Sequence, residues 1–88
     1  MLVKRLKEAR VRAGLTQYKL GLLAGMEETT ASSRMNQYEK GRHQPDRATA
    51  SRIAKVLGLP LAWFYAEEDD LADAILQYWQ CCAAGTPG

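Results

Sequence analysis

Eighty-eight residues allow one small domain and exclude two, because so short a chain buries barely enough surface to offset its conformational entropy. The apolar residues fall in short runs, none near the roughly twenty needed to cross a bilayer, and no N-terminal stretch resembles a signal peptide, so a soluble intracellular protein is expected. The net charge is only +2, but all 12 Lys and Arg lie between Lys4 and Lys55 against five acids, a local +7, while Glu67, Glu68, Asp69, Asp70 and Asp73 leave the remainder at −5. That segregation suggests a polyanion partner for the first part and a different task for the second.

Leu2, Leu6, Ala9 and Ala13 recur at helical spacing, with Lys4, Arg5, Lys7, Glu8 and Arg12 on the remaining positions, which predicts an amphipathic first helix stopped by Gly14. Thr16 is placed to cap a second helix through about Ala24, with Leu20, Leu23 and Ala24 inward. Gly25 ends it and Met26 tucks the turn onto the core. Glu27 to Thr30 lead into a third helix that ends near Lys40, with Gly41 as its stop. At about 100° per residue, Ala31, Met35 and Tyr38 fall within roughly 60° of arc and face the core. The opposite side collects Ser32, Ser33, Asn36, Gln37 and Lys40, where an ordinary exposed helix would carry Glu and Lys.

A loop holding Lys40, Arg42, His43 and Pro45 follows. Asp46 then caps a fourth helix with Ala50, Ile53, Ala54 and Leu57 inward and Gly58 as its stop. Pro60 opens a short fifth helix whose Leu61, Trp63, Phe64 and Tyr65 supply aromatic bulk to close the core. From about Asp69 a sixth helix carries acids at its N-terminal end and Leu71, Ile75, Tyr78 and Cys82 on one stripe, and Ala83 to Gly88 fray. Cys81 and Cys82 are adjacent and cannot build a disulfide framework. They are read as reduced thiols, and the distant His43 does not complete a metal site with them.

Two short helices joined by a glycine turn, followed by a helix with a Ser/Asn/Gln outer face, present hydrogen-bonding side chains to base edges. Arg10, Gly14-Leu15-Thr16-Gln17, Leu20, Gly25-Met26, Tyr38-Glu39-Lys40-Gly41, Pro45 and Ile53-Ala54-Lys55-Val56-Leu57-Gly58 carry a resemblance to the Cro and phage-repressor type helix-turn-helix family, also called XRE, from about Leu6 to Tyr65. The resemblance implies an all-α, five-helix repressor-like DNA-binding domain over residues 1–66; the residues themselves predict that an acidic amphipathic helix over 67–82 and a disordered tail over 83–88 follow it. It implies that the third helix reads the major groove, with Ser32, Ser33 and Gln37 on bases and Asn36 and Arg34 as neighbours able to reach bases or phosphates. It also implies that Gln17 holds a phosphate with its amide and that Arg10 and Glu39 form an internal salt bridge. Thr29, Lys40, Arg42 and His43 complete the expected phosphate contacts.

Two departures from the family pattern stand out. Gly21 replaces the usual alanine, which costs the helix on the order of 1 kcal/mol but allows a closer crossing. The stretch Gly25 to Glu39 is also about one helical turn longer than in the phage repressors, so Thr29 and Thr30 either extend the third helix or cap it.

The function expected is a sequence-specific DNA-binding transcriptional regulator of repressor type in the bacterial or phage cytoplasm. It binds an inverted-repeat operator as a homodimer, without cofactor, metal or enzymatic activity. Leu71, Ile75, Tyr78 and Trp79 are the dimerisation candidates, unless that helix folds back on its own core. The alternative is an antitoxin or adaptor whose C-terminal helix grips a protein partner.

Overall fold

The chain runs through α1 (Val3–Arg12), α2 (Gln17–Leu23), α3 (Ala31–Glu39), α4 (Arg47–Leu57), a 3-10 helix (Leu61–Tyr65) and α5 (Asp69–Gly85). The computed structural model describes residues 1–85, with side chains as far as Cys82. Among them there is no strand, and no helix is long and apolar enough to cross a membrane. The expected fraying tail from Ala83 lies partly outside the described residues, since 86–88 are not among them, whereas the backbone of α5 continues to Gly85.

Local chemistry sets the helix ends. The Thr16 side chain accepts a hydrogen bond from Lys19 N–H and the Asp46 carboxylate accepts one from Thr49 N–H, each satisfying an otherwise orphaned donor in a first turn. Hydrogen bonding from Thr49 holds the Asp46 carboxyl below the usual carboxylate range. At the other end of α4, Gly58 adopts the left-handed conformation at φ +69°, which an L side chain takes only with strain. Gly25, at φ +90°, reverses the chain after α2 in the same way.

The core is a single cluster. Leu6, Leu20, Met35, Ile53 and Phe64 are fully buried, each removal from water stabilising by about 1.5–3 kcal/mol. Ala9, Ala24, Met26, Ala31, Tyr38, Ala50, Ala54 and Trp63 fill the space between them, and Trp63 meets Phe64 edge to face at 5.0 Å. Ala31, Met35 and Tyr38 thus point inward as their spacing predicts.

Several expected core positions lie elsewhere. Leu23 is half exposed, because the face of α2 that meets α3 is Leu20, Gly21 and Ala24. Ala13 is exposed at the end of α1, Leu2 and Leu57 are only partly buried, and Tyr65 turns out of the short helix that buries Trp63 and Phe64. The expected fifth helix is a 3-10 helix, too tight to bury a continuous stripe.

Arg5, read from the sequence as a surface residue of α1, is buried. Its guanidinium donates to the Ala66 carbonyl at 2.9 and 3.1 Å, to Glu68 O at 3.3 Å and to the Asp69 carboxylate at 3.1 Å, and lies 5.3 Å from the Trp63 ring centre. Lys4 also reaches Asp69, at 3.3 Å. Hydrogen bonds and charge from Lys4 and then Arg5 hold the Asp69 carboxyl below its ordinary range. This clasp fixes the start of α5 to α1, while the body of α5 packs on the 3-10 helix through Ala72, Ile75 and Leu76.

Candidate nucleic-acid interface

α2 and α3 pack closely against each other, and Gly21 makes the approach possible. A Cβ built there would stand 2.7 Å from the Ala31 Cβ and 3.0 Å from its carbonyl oxygen. The residues between the two helices form a hydrogen-bonded turn in which Thr30 N–H and Ala31 N–H both donate to Glu27 O, at 3.1 and 2.9 Å. The longer connection is therefore a turn ahead of α3 and not an extension of it. Thr30 occupies the N-cap position without a capping side-chain bond, and Thr29 is exposed beside it.

Burying Ala31, Met35 and Tyr38 turns the other side of α3 outward. Ser32, Ser33 and Arg34 are exposed, and Asn36 and Gln37 are partly so. Lys40, Arg42 and His43 follow, all exposed. Arg34, Lys40 and Arg42 enter no ion pair among the described residues, although the charge of Arg34 helps to hold the Asp46 carboxyl below its ordinary range. Between Thr29 and Pro45 the one acid is Glu39, and it is buried against Arg10. The outer surface of this segment therefore offers neutral hydroxyl and amide groups flanked by cations, with no carboxylate among them.

Arg10 Nη2 donates to Glu39 Oε1 at 3.0 Å, its Nε bonds the other carboxylate oxygen, and its Nη1 donates to Leu15 O at 2.9 Å. The pair is the bidentate fork that planar guanidinium and carboxylate groups favour, and it ties α1 to the end of α3. Gln17 joins it: its amide donates to Glu39 Oε1 and to Asn36 Oδ1, both at 3.3 Å. The Gln17 amide expected on a phosphate is thus turned inward, and the Asn36 carbonyl expected among the base contacts is engaged within the protein.

The structure brings Arg34, Gln37 and His43 together around a shallow open concavity, with Tyr38 and Gln44. Arg34 is steadied there, its Nη2 donating to the Tyr38 hydroxyl at 3.1 Å. Sequence reasoning misses Gln44 and the Tyr38 hydroxyl. Loop residues have no periodicity to place them, and spacing assigns Tyr38 entirely to the core. Arg52 is missed too; it donates to Ala24 O at 2.8 Å and secures the end of α2 from α4.

The dimerisation candidates divide. Leu71 and Tyr78 are exposed, at 48% and 73%, and Trp79 less so at 38%, whereas Ile75 packs against the protein's own core.

A family model described as helix-turn-helix matches residues 6–64. A solved structure of the transcriptional regulator BswR is similar, with 53% sequence identity and a TM-score of 0.82, over 88% of this chain and 76% of that one. No curated protein matches the chain.

Proposed function

Because the chain belongs to the XRE-type helix-turn-helix family of DNA-binding transcriptional regulators, we propose that it is a sequence-specific repressor that lays α3 in the major groove of an inverted-repeat operator as a homodimer. Residues 1–66 form the DNA-binding unit and 67–82 the added acidic helix. Ser32, Ser33 and Gln37 contact base edges, with Arg34 beside them and Asn36 positioned through Gln17. Thr29, Lys40, Arg42 and His43 hold phosphates. Gln17 reaches a phosphate only by exchanging its bonds to Asn36 and Glu39 for one to DNA.

The observation that carries this reading is the composition of the exposed side of α3 and the loop after it. A helix that only needed solvation has no reason to exclude carboxylates from that surface, whereas DNA, with one negative charge per about 1.7 Å of axis, gives a direct one.

Selection of bound sites from random duplexes, followed by affinity measurement at several salt concentrations, tests it. An inverted repeat should be enriched, and log affinity should fall with log salt at a slope of about −0.9 per neutralised phosphate. Gln37→Ala should relax preference at one base pair of each half-site, while Lys40→Ala should weaken all sequences alike and reduce the slope by about 1. No enriched site would defeat the proposal.

The exposed Leu71 and Tyr78 favour a second reading, an adaptor or antitoxin whose C-terminal helix binds another protein. On that reading the site selection fails and α5 variants alone abolish function.

A further inference from the structure

We propose that Arg34, Tyr38, His43 and Gln44 bind one phosphate group in the concavity between the outer edge of α3 and the loop that follows it. The proposal rests on the DNA reading above and deepens it. Gln44 and the Tyr38 hydroxyl join the ligand-binding groups, and Arg34 serves a phosphate instead of a base.

The concavity has a volume of about 290 Å³ and is lined by these four residues and Gln37. At about 30 Å³ per water, it has room for a tetrahedral oxyanion and part of its hydration shell. The bonds already made there decide what the lining still offers. The Met1 nitrogen donates to Gln44 Oε1 at 2.8 Å, so the Gln44 amide has its oxygen engaged and keeps its NH2 donors. Arg34 Nη2 donates to the Tyr38 hydroxyl at 3.1 Å, which occupies that oxygen and leaves the Tyr38 O–H to donate. The Arg34 guanidinium is a donor throughout, and His43, exposed on the loop, carries an N–H in either protonation state. The amide oxygen of Gln37 is the main acceptor left. Donors from two separate elements thus meet in one hollow, which is the lining an oxyanion requires.

A phosphate fits this lining better than a base edge does. With Ala31 at 0° and about 100° per residue, Ser33, Asn36 and Gln37 lie at about 200°, 140° and 240°, around the direction opposite the core. Arg34 lies at about 300°, on the flank of the helix and only about 40° from the buried Tyr38. The Tyr38 hydroxyl holds its guanidinium to that flank, beside the loop. The planar edge of guanine accepts one fork of two donors, whereas a phosphate, with oxygens set in three dimensions, accepts from helix and loop together. The Asp46 carboxylate acts on Arg34 from the start of α4. It is bonded to Thr49 N–H at 2.9 Å and forms no ion pair among the described residues, so the cation stays available to an anion.

The phosphate comes from the operator backbone or from a free phosphate, and two arms of one experiment separate these sources. In the first, the full chain without DNA is titrated with sodium phosphate and, at matched ionic strength, with sodium chloride, and followed by NMR. Phosphate alone should give saturable shifts at the Arg34 Nε–H, the Gln44 side-chain amide and the His43 ring. In the second, each backbone phosphate of the selected operator is replaced in turn by a neutral methylphosphonate. One position per half-site should weaken wild-type binding about tenfold, the loss of a hydrogen bond to a charged group. Gln44→Glu is the diagnostic variant, because it keeps an acceptor for the Met1 nitrogen while exchanging the donors for a carboxylate. Its melting temperature should match wild type, its affinity for phosphate should fall about tenfold, and the methylphosphonate penalty at that one position should vanish. Arg34→Ala, at an exposed position, should weaken all sequences alike.

Saturation by phosphate with displacement of the operator identifies a free phosphate as the occupant, and a methylphosphonate penalty lost in Gln44→Glu identifies the backbone; either result supports the site. Phosphate shifts no larger than those of chloride, together with no such penalty at any position, would overturn it. So would an Arg34→Ala variant that relaxes preference at a single base pair. The outcomes stay separate from those of the DNA reading. If site selection enriches no operator, the phosphate titration alone decides the site, whereas an enriched operator with both arms negative removes the site and keeps the regulator.

Discussion

Glu39 lies against Arg10 with about 5% of its side chain exposed, and that contact decides the character of the surface above it. Were the carboxylate outside, α3 would repel phosphate at the point where Lys40 and Arg42 would attract it. Glu39→Ala leaves the Arg10 guanidinium partly buried without its partner, for which about 3–5 kcal/mol of lost stability is expected, read by urea unfolding. Loss of DNA binding in that variant should follow the unfolded fraction and so be mild where the protein is still folded. Tyr38→Phe addresses a different residue on the same helix: it removes the hydroxyl that accepts from Arg34 while keeping the buried ring. Melting should change little, and operator affinity should fall about fivefold, the equivalent of roughly one hydrogen bond, measured by fluorescence anisotropy. An unchanged affinity would mean that Arg34 needs no steadying.

Helix pairing is where Gly21 acts. Alanine at this position gains about 1 kcal/mol of helix propensity but forces its methyl against Ala31, and overpacking of this kind costs about 1–3 kcal/mol. Gly21→Ala should therefore lower stability or displace α3, and adding Ala31→Gly should recover part of the loss; thermal melts of the two single variants and the double variant decide this. The start of α4 carries a pH dependence of definite sign. Asp46 has a lowered pKa in the folded chain, so the unfolded chain takes up its proton first as pH falls. The stability this cap contributes is complete above about pH 4 and drains away as pH drops through the lower folded value. The melting temperature of Asp46→Ala should thus lie below wild type at pH 7, and the gap should narrow near pH 3.

Over the whole molecule, α5 is held by the packing of Ala72, Ile75 and Leu76 on the core and, at its start, by one buried cation. Arg5→Met keeps the apolar stem but strips the Ala66 carbonyl of its donors, and an unsatisfied buried acceptor costs about 1–3 kcal/mol. Hydrogen exchange should then show early opening at Ala66 to Ala72, with α1 to α4 still protected; uniform loss of protection would instead show that the clasp supports the entire core. Asp69 adds little to this tie, because its carboxylate is 81% exposed and screened.

The helix boundaries and the two sides of α3 were legible in the amino-acid sequence because they depend on neighbours along the chain: Thr16 and Asp46 cap their own first turns, Gly58 needs its own φ, and Ala31, Met35 and Tyr38 lie on one arc by spacing alone. The burial of Arg5, the inward turn of the Gln17 amide, the exposure of Leu23 and the choice between two adjoining apolar stripes on α5 were decided only in three dimensions. Periodicity gives a side chain's angle about its own helix axis, but not where the neighbouring helix stands. At Arg5 and Gln17 the deciding partners, Ala66 and Glu39, are far away in sequence and meet them only once the chain has folded.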